Sequence, residues 1–255
     1  TTLERRMRAA RPETDEGELR LEAMVASRLF GPSQAQPARI GRFTLQGRIG
    51  RGGMGDVYAA HDPVLDRKVA VKVLRGKVGR LDADERGWLL AEARAAARLA
   101  HPNVVSIHEV GDDGDGVHIA MEFIDGPTLR AWLGEGRSLA AVLRVFVQAG
   151  RGLAAAHDAG VVHRDFKPEN VLICGAEDEP RVKVVDFGLA RVTAGRSADQ
   201  AAGDSCLMGT PAYMSPEQHL GRPVDARSDQ FSFCVALYEA LTGRHPFGAD
   251  LPGVA

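Results

Sequence analysis

The string Gly50-Arg51-Gly52-Gly53-Met54-Gly55 lies between two β-type runs, Phe43–Ile49 and Asp56–His61, and this placement restricts the fold more than any other feature. The spacing G-x-G-x-x-G by itself suits either a tight hairpin or a dinucleotide-binding turn, because glycine tolerates sharp backbone and close approach. A dinucleotide turn must open a helix inside a βαβ unit. Here Asp56–His61 runs into Asp62-Pro63 and then into another β run, Lys68–Leu74, so no length remains for a helix. The glycines therefore join two antiparallel strands. Such a loop can lie over phosphate groups and offer backbone N–H donors with no side chains in the way. A Walker-type loop is excluded because no G-x-x-x-x-G-K-[ST] occurs in the chain.

The rest of the chain divides into a β-rich and a helix-rich part. A stretch of strong helix formers, Asp82–Ala100, follows the third β run and stops at His101-Pro102. Val104–Val110 and Val117–Phe123 read as strands separated by the turn-rich GDDGDG. After Gly126 come two helical segments, Thr128–Leu133 and Leu139–Ala159, the second with apolar residues at intervals of three and four. A short β region surrounds Val162–Ile173 and Val182–Val185, and Gln230–Leu241 reads as an apolar helix buried on most sides. Upstream, residues 1–39 are charged and rich in Ala and Arg, with a weakly helical patch at Glu18–Phe30 closed by Gly31-Pro32 and a Pro/Gln/Ser linker. This predicts a partly disordered extension over 1–39 and a folded unit over 40–255, without internal repeats.

Lys72 sits inside the apolar run Val69–Leu74 and shares a strand face with Ala70 and Leu74. Glu92 falls one helical turn from Leu89 and Ala96, on a stripe where a solvent-facing charge is out of place. A lysine held by that carboxylate would be fixed to meet phosphates; Glu85, two turns earlier, is an alternative partner. Further on, His163-Arg164-Asp165-Phe166-Lys167-Pro168-Glu169-Asn170 packs polar groups between Val161-Val162 and Val171-Leu172, and Asp186-Phe187-Gly188 follows the apolar run Val182–Val185. The oxygens of Asn170 and Asp186 suit a hard cation such as magnesium, which takes few protein ligands beside phosphate and water. Asp165 is then free to accept a proton from a hydroxyl.

The glycine loop, VAVK, HRDFKPEN, DFG and SPE occur in one order, and with them the chain resembles the eukaryotic-type serine/threonine protein kinases, most of all the bacterial members. The resemblance covers about residues 43–250. It implies an α+β bilobal kinase-like fold, with a β-rich N-lobe over about 40–124 and a mostly helical C-lobe over about 125–255. It further implies that Gly50, Arg51, Gly52, Gly53, Met54, Gly55 and Asp56 cover the phosphates of ATP. Ile49, Val57, Ala70 and Leu172 would wall the adenine pocket, Met121 would guard its rear, and Glu122–Ile124 would form the hinge that reads adenine. Lys72 would contact the α- and β-phosphates and pair with Glu92; Asp165 would be the base, Lys167 a γ-phosphate stabiliser, and Asn170 and Asp186 the ligands of Mg2+ or Mn2+. Lys167 and Thr210 match the serine/threonine class, while Phe166 and Ser215 depart from the usual pattern without touching the chemistry. Arg164 before Asp165 suggests regulation by a phosphorylated loop, with Ser205 as the expected acceptor and Thr210 shaping the peptide site. The expected partners are protein substrates and a second copy of the chain for trans-autophosphorylation. Two other readings remain in view: a catalytically silent kinase-like module that binds nucleotide or partners, and, weakly, a dehydrogenase-type domain.

Composition narrows the partners. A net charge of −2 over 255 residues, with 44% hydrophobic and 26% charged residues, describes an ordinary globular chain with no overall bias toward nucleic acid. Cys174, Cys206 and Cys234 are scattered and odd in number, which argues against a disulfide framework and suits a reducing compartment, hence a cytoplasmic kinase unit. The basic start TTLERRMRAARPE lacks the apolar stretch of a signal peptide, and no run approaches the roughly 18 apolar residues of a membrane span. Thr1 in place of methionine predicts that the natural chain begins earlier, and the parent protein could carry a membrane anchor beyond Ala255. Because the family pattern continues for roughly three further helices, including an arginine for Glu217, the expectation is a C-lobe cut short at Ala255. Apolar surface on the Gln230–Leu241 helix would be left uncovered, and the fragment would be aggregation-prone or poorly active.

Overall fold

The structure is a computed structural model and describes residues 38–52, 55–74, 83–112, 116–176, 179–187 and 211–248. The helical patch Glu18–Phe30, Gly53, Met54, Gly188, Ser205 and Thr210 lie outside these residues, as does the side chain of Glu85. The first half is a six-stranded antiparallel sheet of β1 (Arg39–Ile40), β2 (Phe43–Gly52), β3 (Gly55–Asp62), β4 (Arg67–Leu74), β5 (Ile107–Asp112) and β6 (Val117–Glu122), ordered β1-β2-β3-β4-β6-β5. Helix α1 (Ala83–Ala96) crosses between β4 and β5. Strand β4 is covered on both faces, as its unbroken apolar run anticipates. Val69 and Val71 join Phe43, Ala60 and Ala120 on one face, and Ala70 and Leu74 meet Leu89 and Ala93 of α1 on the other. Lys72 belongs to this second face and is buried.

Two boundaries differ from expectation for one reason. Helix α1 stops at Ala96, four residues before Ala100, and β5 begins at Ile107 rather than Val104. The intervening backbone is used to fasten the two halves: Val105 donates to the Val184 carbonyl at 3.0 Å and Val184 donates to the Asn103 carbonyl at 2.9 Å. Val104 thus makes an isolated bridge to Val184 instead of extending the sheet.

The second half is built on α2 (Leu129–Leu133), α3 (Leu139–Asp158), the hairpin of β7 (Val171–Gly175) and β8 (Pro180–Val184), α4 (Pro216–His219) and α5 (Ala226–Thr242). Thr128 and Ser138 cap α2 and α3 by accepting from the N–H of Ala131 and Ala141. Helix α3 turns Val142, Val145, Phe146, Ala149, Leu153 and Ala156 into the core. At Gly152 it passes so near the preceding half that a Cβ would stand 2.7 Å from the Asn103 carbonyl oxygen, so this contact requires glycine. By length and composition α3 could cross a membrane, but its buried face is the centre of this core. Helix α5 starts at Ala226, capped by Asp225, and ends at Gly243 with φ 69°. Ser228, Asp229, Ser232, Val235 and Ala236 face inward and are buried, whereas Tyr238 and Leu241 are exposed, as is Phe247 beyond it. Helices α3 and α4 both pack against α5, and Phe231, Phe233, Leu237 and Ala240 lie half-buried beside its inward face, so the exposed residues form a single outer stripe.

Candidate functional site

Of the glycine string, the described residues end the paired strands β2 and β3, with Gly50 opposite Val57, Arg51 opposite Asp56 and Gly52 opposite Gly55. This is the strand–loop–strand arrangement that excludes a dinucleotide turn. The glycines serve different ends. At Gly55, φ is 147° and an added Cβ would lie 1.9 Å from the Val73 carbonyl oxygen, so the fold itself demands glycine. At Gly50 and Gly52 a Cβ would meet nothing closer than 3.6 and 3.9 Å, so the protein's own packing does not exclude a side chain. Their bareness leaves open space along the hairpin, as a polyphosphate lying beneath it would need. Below the hairpin lie Val57, Ala70 and Met121, all in or against one apolar cluster, while Ile49 is 54% exposed at the rim. Leu172 of β7 is half-buried, and its backbone bridges Thr128 ahead of α2. Met121 and Asp186 also line a cavity of about 20 Å³ with Ile119, Val105 and Phe187 behind the junction. At the hinge, the Glu122 N–H donates to the Ser106 carbonyl at 2.8 Å and its carboxylate accepts from Lys183 at 2.8 Å. The Glu122 side chain is thus committed to β8, and Phe123 and Ile124 continue the connection half-buried.

The acid cluster is a loop rather than a strand, and it is over-determined. Asp229, fully buried at the start of α5, accepts from the backbone N–H of His163 and of Arg164, each at 2.7 Å, and pairs with the His157 ring at 2.7 Å. Burial alone would raise its pKa, but the His157 hydrogen bond and the donors of the loop hold the carboxyl below its ordinary value. The His163 ring bonds the Val185 carbonyl at 2.9 Å and packs on Phe166 and Phe187. Gln218 of α4 donates to the Arg164 carbonyl at 2.7 Å. Arg164 and Asp186 adopt positive φ, 68° and 67°, conformations that cost non-glycine residues energy and persist only where surroundings enforce them.

This scaffold brings the polar residues together. The Asp165 carboxylate accepts from Lys167 Nζ at 2.8 Å and from Asn170 Nδ2 at 3.1 Å. Asn170 also donates to the Asp165 carbonyl at 2.7 Å, and its own carbonyl accepts from Val185 N–H at 3.0 Å, one residue before Asp186. The Asn170 amide nitrogen is therefore used within the loop and its Oδ1 is the atom left for a ligand. With the Asp186 carboxylate it offers two oxygen donors, the set a magnesium ion takes beside phosphate oxygens and water.

The expected Lys72–Glu92 pair does not form in this structure. Lys72 Nζ lies 2.8 Å from Asp186 Oδ2, and Glu92 instead pairs with Arg164 at 3.5 Å. Lys72 does face α1, as its strand position predicts, but the carboxylate it pairs with comes from a residue 114 positions away in the chain. Burial would push the Asp186 carboxyl up; the adjacent Lys72 charge and its hydrogen bond reverse this and hold it low.

Other supporting residues carry no local signal. His157, Gln218 and Lys183 act through partners 54 to 72 positions distant. Arg130 of α2 likewise reaches distant partners, binding Glu169 at 2.8 Å, 39 positions on, and Glu239 of α5 at 3.0 Å, 109 positions on, with Tyr213 beside them. Glu217 accepts from the Ser228 hydroxyl. Ser215 is buried, and its N–H and hydroxyl both donate to Gln218 Oε1, which shows how the fold uses a serine at that position.

A protein-family profile described as protein kinase domain matches residues 43–252. A probable serine/threonine-protein kinase of Streptomyces coelicolor, SCO3848, is 43% identical over 224 residues, covering 85% of this chain and 32% of that protein. Serine/threonine-protein kinase pkn2 of Myxococcus xanthus is 40% identical, covering 83% of this chain and 26% of its own length. The chain thus spans a quarter to a third of the length of these relatives. Among solved structures, the kinase domain of PknI from Mycobacterium tuberculosis superposes with a TM-score of 0.67 at 26% identity, covering 87% of this chain and 83% of that one.

Proposed function

This chain belongs to the protein kinase family, and on that premise we propose that it transfers the γ-phosphoryl group of ATP to serine and threonine hydroxyls of proteins. The observation that carries the reading is the Asp165–Lys167–Asn170 cluster, held by buried Asp229 and joined through Val185 to Asp186, which pairs with Lys72 of the sheet. In this reading Asp165 takes the proton of the acceptor hydroxyl as its oxygen attacks the γ-phosphorus and the bond to the β–γ bridging oxygen of ATP breaks, releasing ADP. Lys167, already at the Asp165 carboxylate, offsets charge on the transferred group. Lys72 turns to the α- and β-phosphates, and Gly50, Gly52 and Gly55 supply backbone donors above them. A divalent cation, magnesium or manganese, would neutralise phosphate charge from Asn170 and Asp186. The protein's contribution is position and charge rather than covalent chemistry.

The Lys72–Asp186 and Glu92–Arg164 pairs fit a resting arrangement. Turning it over requires Lys72 to leave Asp186 for nucleotide, and Glu92 to leave Arg164 for Lys72. A phosphate on the loop after Asp186, with Ser205 as acceptor, would compete for Arg164 through charge-assisted hydrogen bonds. One copy phosphorylating another is the route we propose for its placement. Full activity in protein whose Ser205 is unmodified by mass spectrometry would exclude that acceptor.

Transfer of label from γ-labelled ATP to the chain and to a generic basic protein, compared with Asp165→Asn, tests the activity. A loss of at least about a hundredfold in the variant is expected. The two resting pairs favour one other reading, a module that binds nucleotide without turnover. ATP binding with no transfer by either protein would establish that reading instead.

A further inference from the structure

One cluster of charged groups stands at the edge of the candidate site and takes no part in phosphoryl transfer. Arg130 of α2 donates to Glu169 at 2.8 Å and to both carboxylate oxygens of Glu239 on α5, at 3.0 and 3.2 Å. It also donates to the Tyr213 hydroxyl, which in turn donates to Glu239. Burial opposes charge on Arg130, but its bonds to Glu239 and Glu169 outweigh this and hold its pKa above the ordinary value. Burial likewise opposes charge on Glu239, and the hydrogen bond from Arg130 reverses it, keeping that carboxyl low. The Tyr213 hydroxyl is raised, chiefly by burial and then by Glu239, and stays neutral. One cation therefore sits between two carboxylates, in the fork geometry that suits a guanidinium.

The cluster is open to solvent: the side chains of Arg130, Glu169 and Glu239 are 39%, 43% and 23% exposed. It also borders the place of the acceptor. Glu169 immediately precedes Asn170, whose amide donates to the Asp165 carbonyl at 2.7 Å and to its carboxylate at 3.1 Å. Glu169 thus stands within about 10 Å of the proposed base. An extended peptide with its hydroxyl at Asp165 covers that distance in about three residues. Two surface carboxylates within such reach would draw an arginine or lysine of the peptide. Here the chain supplies the cation itself.

We propose that Arg130 is a specificity-determining residue: it fills the position between Glu169 and Glu239 that a basic residue of the substrate would otherwise take. The kinase then gains nothing from arginine or lysine near the acceptor hydroxyl, and neutral acceptor sequences serve it as well as basic ones. This rests on the proposed transfer to protein hydroxyls.

A set of neutral serine peptides, each with one arginine at one of the three positions on either side of the acceptor, tests it. For each peptide the reading is kcat/KM relative to its alanine counterpart, measured with the 255-residue chain, Arg130→Gln and Arg130→Lys. Because the ratio is taken within one protein, a loss of folded material cancels. Ratios near one are expected for the unsubstituted chain and for Arg130→Lys, which keeps the cation. In Arg130→Gln the ratio should rise about fivefold, through KM, at one position or two adjacent ones. Adding Glu239→Gln to Arg130→Gln should bring it back toward one. An unsubstituted chain that already favours an arginine peptide fivefold overturns the proposal, whatever the variants do. Transfer by Arg130→Gln with all ratios still near one overturns it too. Transfer to no peptide by any of the proteins, the unsubstituted chain included, overturns the kinase reading and this inference with it.

Discussion

The two sides of the candidate site are held very differently. On the helical side, the loop 163–170 is fixed by a fully buried carboxylate, two backbone donors, an imidazole and a glutamine amide, all between 2.7 and 2.9 Å. On the sheet side, Glu92 is held by one contact, 3.5 Å from Arg164, with both side chains about one-fifth exposed. A group satisfied by several short bonds has one arrangement, whereas a single long ion pair near solvent costs little to exchange. On the proposed function, the rigid side would carry the chemistry and the loose side its regulation.

Removing the anchor is the largest way to break this comparison. Asp229→Ala leaves the His163 and Arg164 N–H groups and the His157 ring without their acceptor, and roughly 3–5 kcal/mol of stability should be lost, read as a fall in the denaturant midpoint. A loss under about 1 kcal/mol would mean the loop is held by its other contacts. Glu92→Gln should behave in the opposite way. Its stability cost should stay below about 1 kcal/mol, while phosphoryl transfer falls by about a hundredfold because Lys72 is no longer positioned. Equal damage to stability and rate would remove the distinction between the two sides.

The smallest effect concerns acid. Asp62, at the end of β3, has its carboxyl held down to about 2, from an ordinary 3.8, chiefly by the hydrogen bond from Arg42. A carboxyl depressed in the folded state contributes stability above its unfolded pKa and loses it as pH falls through the folded one. That contribution should therefore be complete above about pH 4 and disappear toward pH 2. In Asp62→Asn this part of the acid dependence should vanish, while the part due to Asp229 and Asp186, also held low, remains. An unchanged acid profile would show that Arg42 and Asp62 do not sharpen the sheet's stability.

Much of the sheet was legible because its signals are local. Val69–Leu74 announces a strand covered on both faces, and Asp62-Pro63 after a short run leaves no length for a helix, so the glycines had to form a hairpin. The start of α5 carries a local signal too, since Asp225 ahead of Ala226 is an N-cap, whereas the apolar run begins only at Gln230. The end of α1 and the start of β5 were not legible, since Asn103–Val105 spend their backbone groups on Val184, some 80 residues away.

What the sequence alone determined is the order of the motifs, the residue types at the site and the strand face of Lys72, because each follows from spacing within a few residues. Tertiary structure decided which charges meet. Lys72 with Asp186, Glu92 with Arg164 and Asp229 with His157 are pairs separated by 72 to 114 positions. A carboxylate has several cationic candidates along any chain, and only the folded distances, falling off with separation and strengthened by burial, select among them.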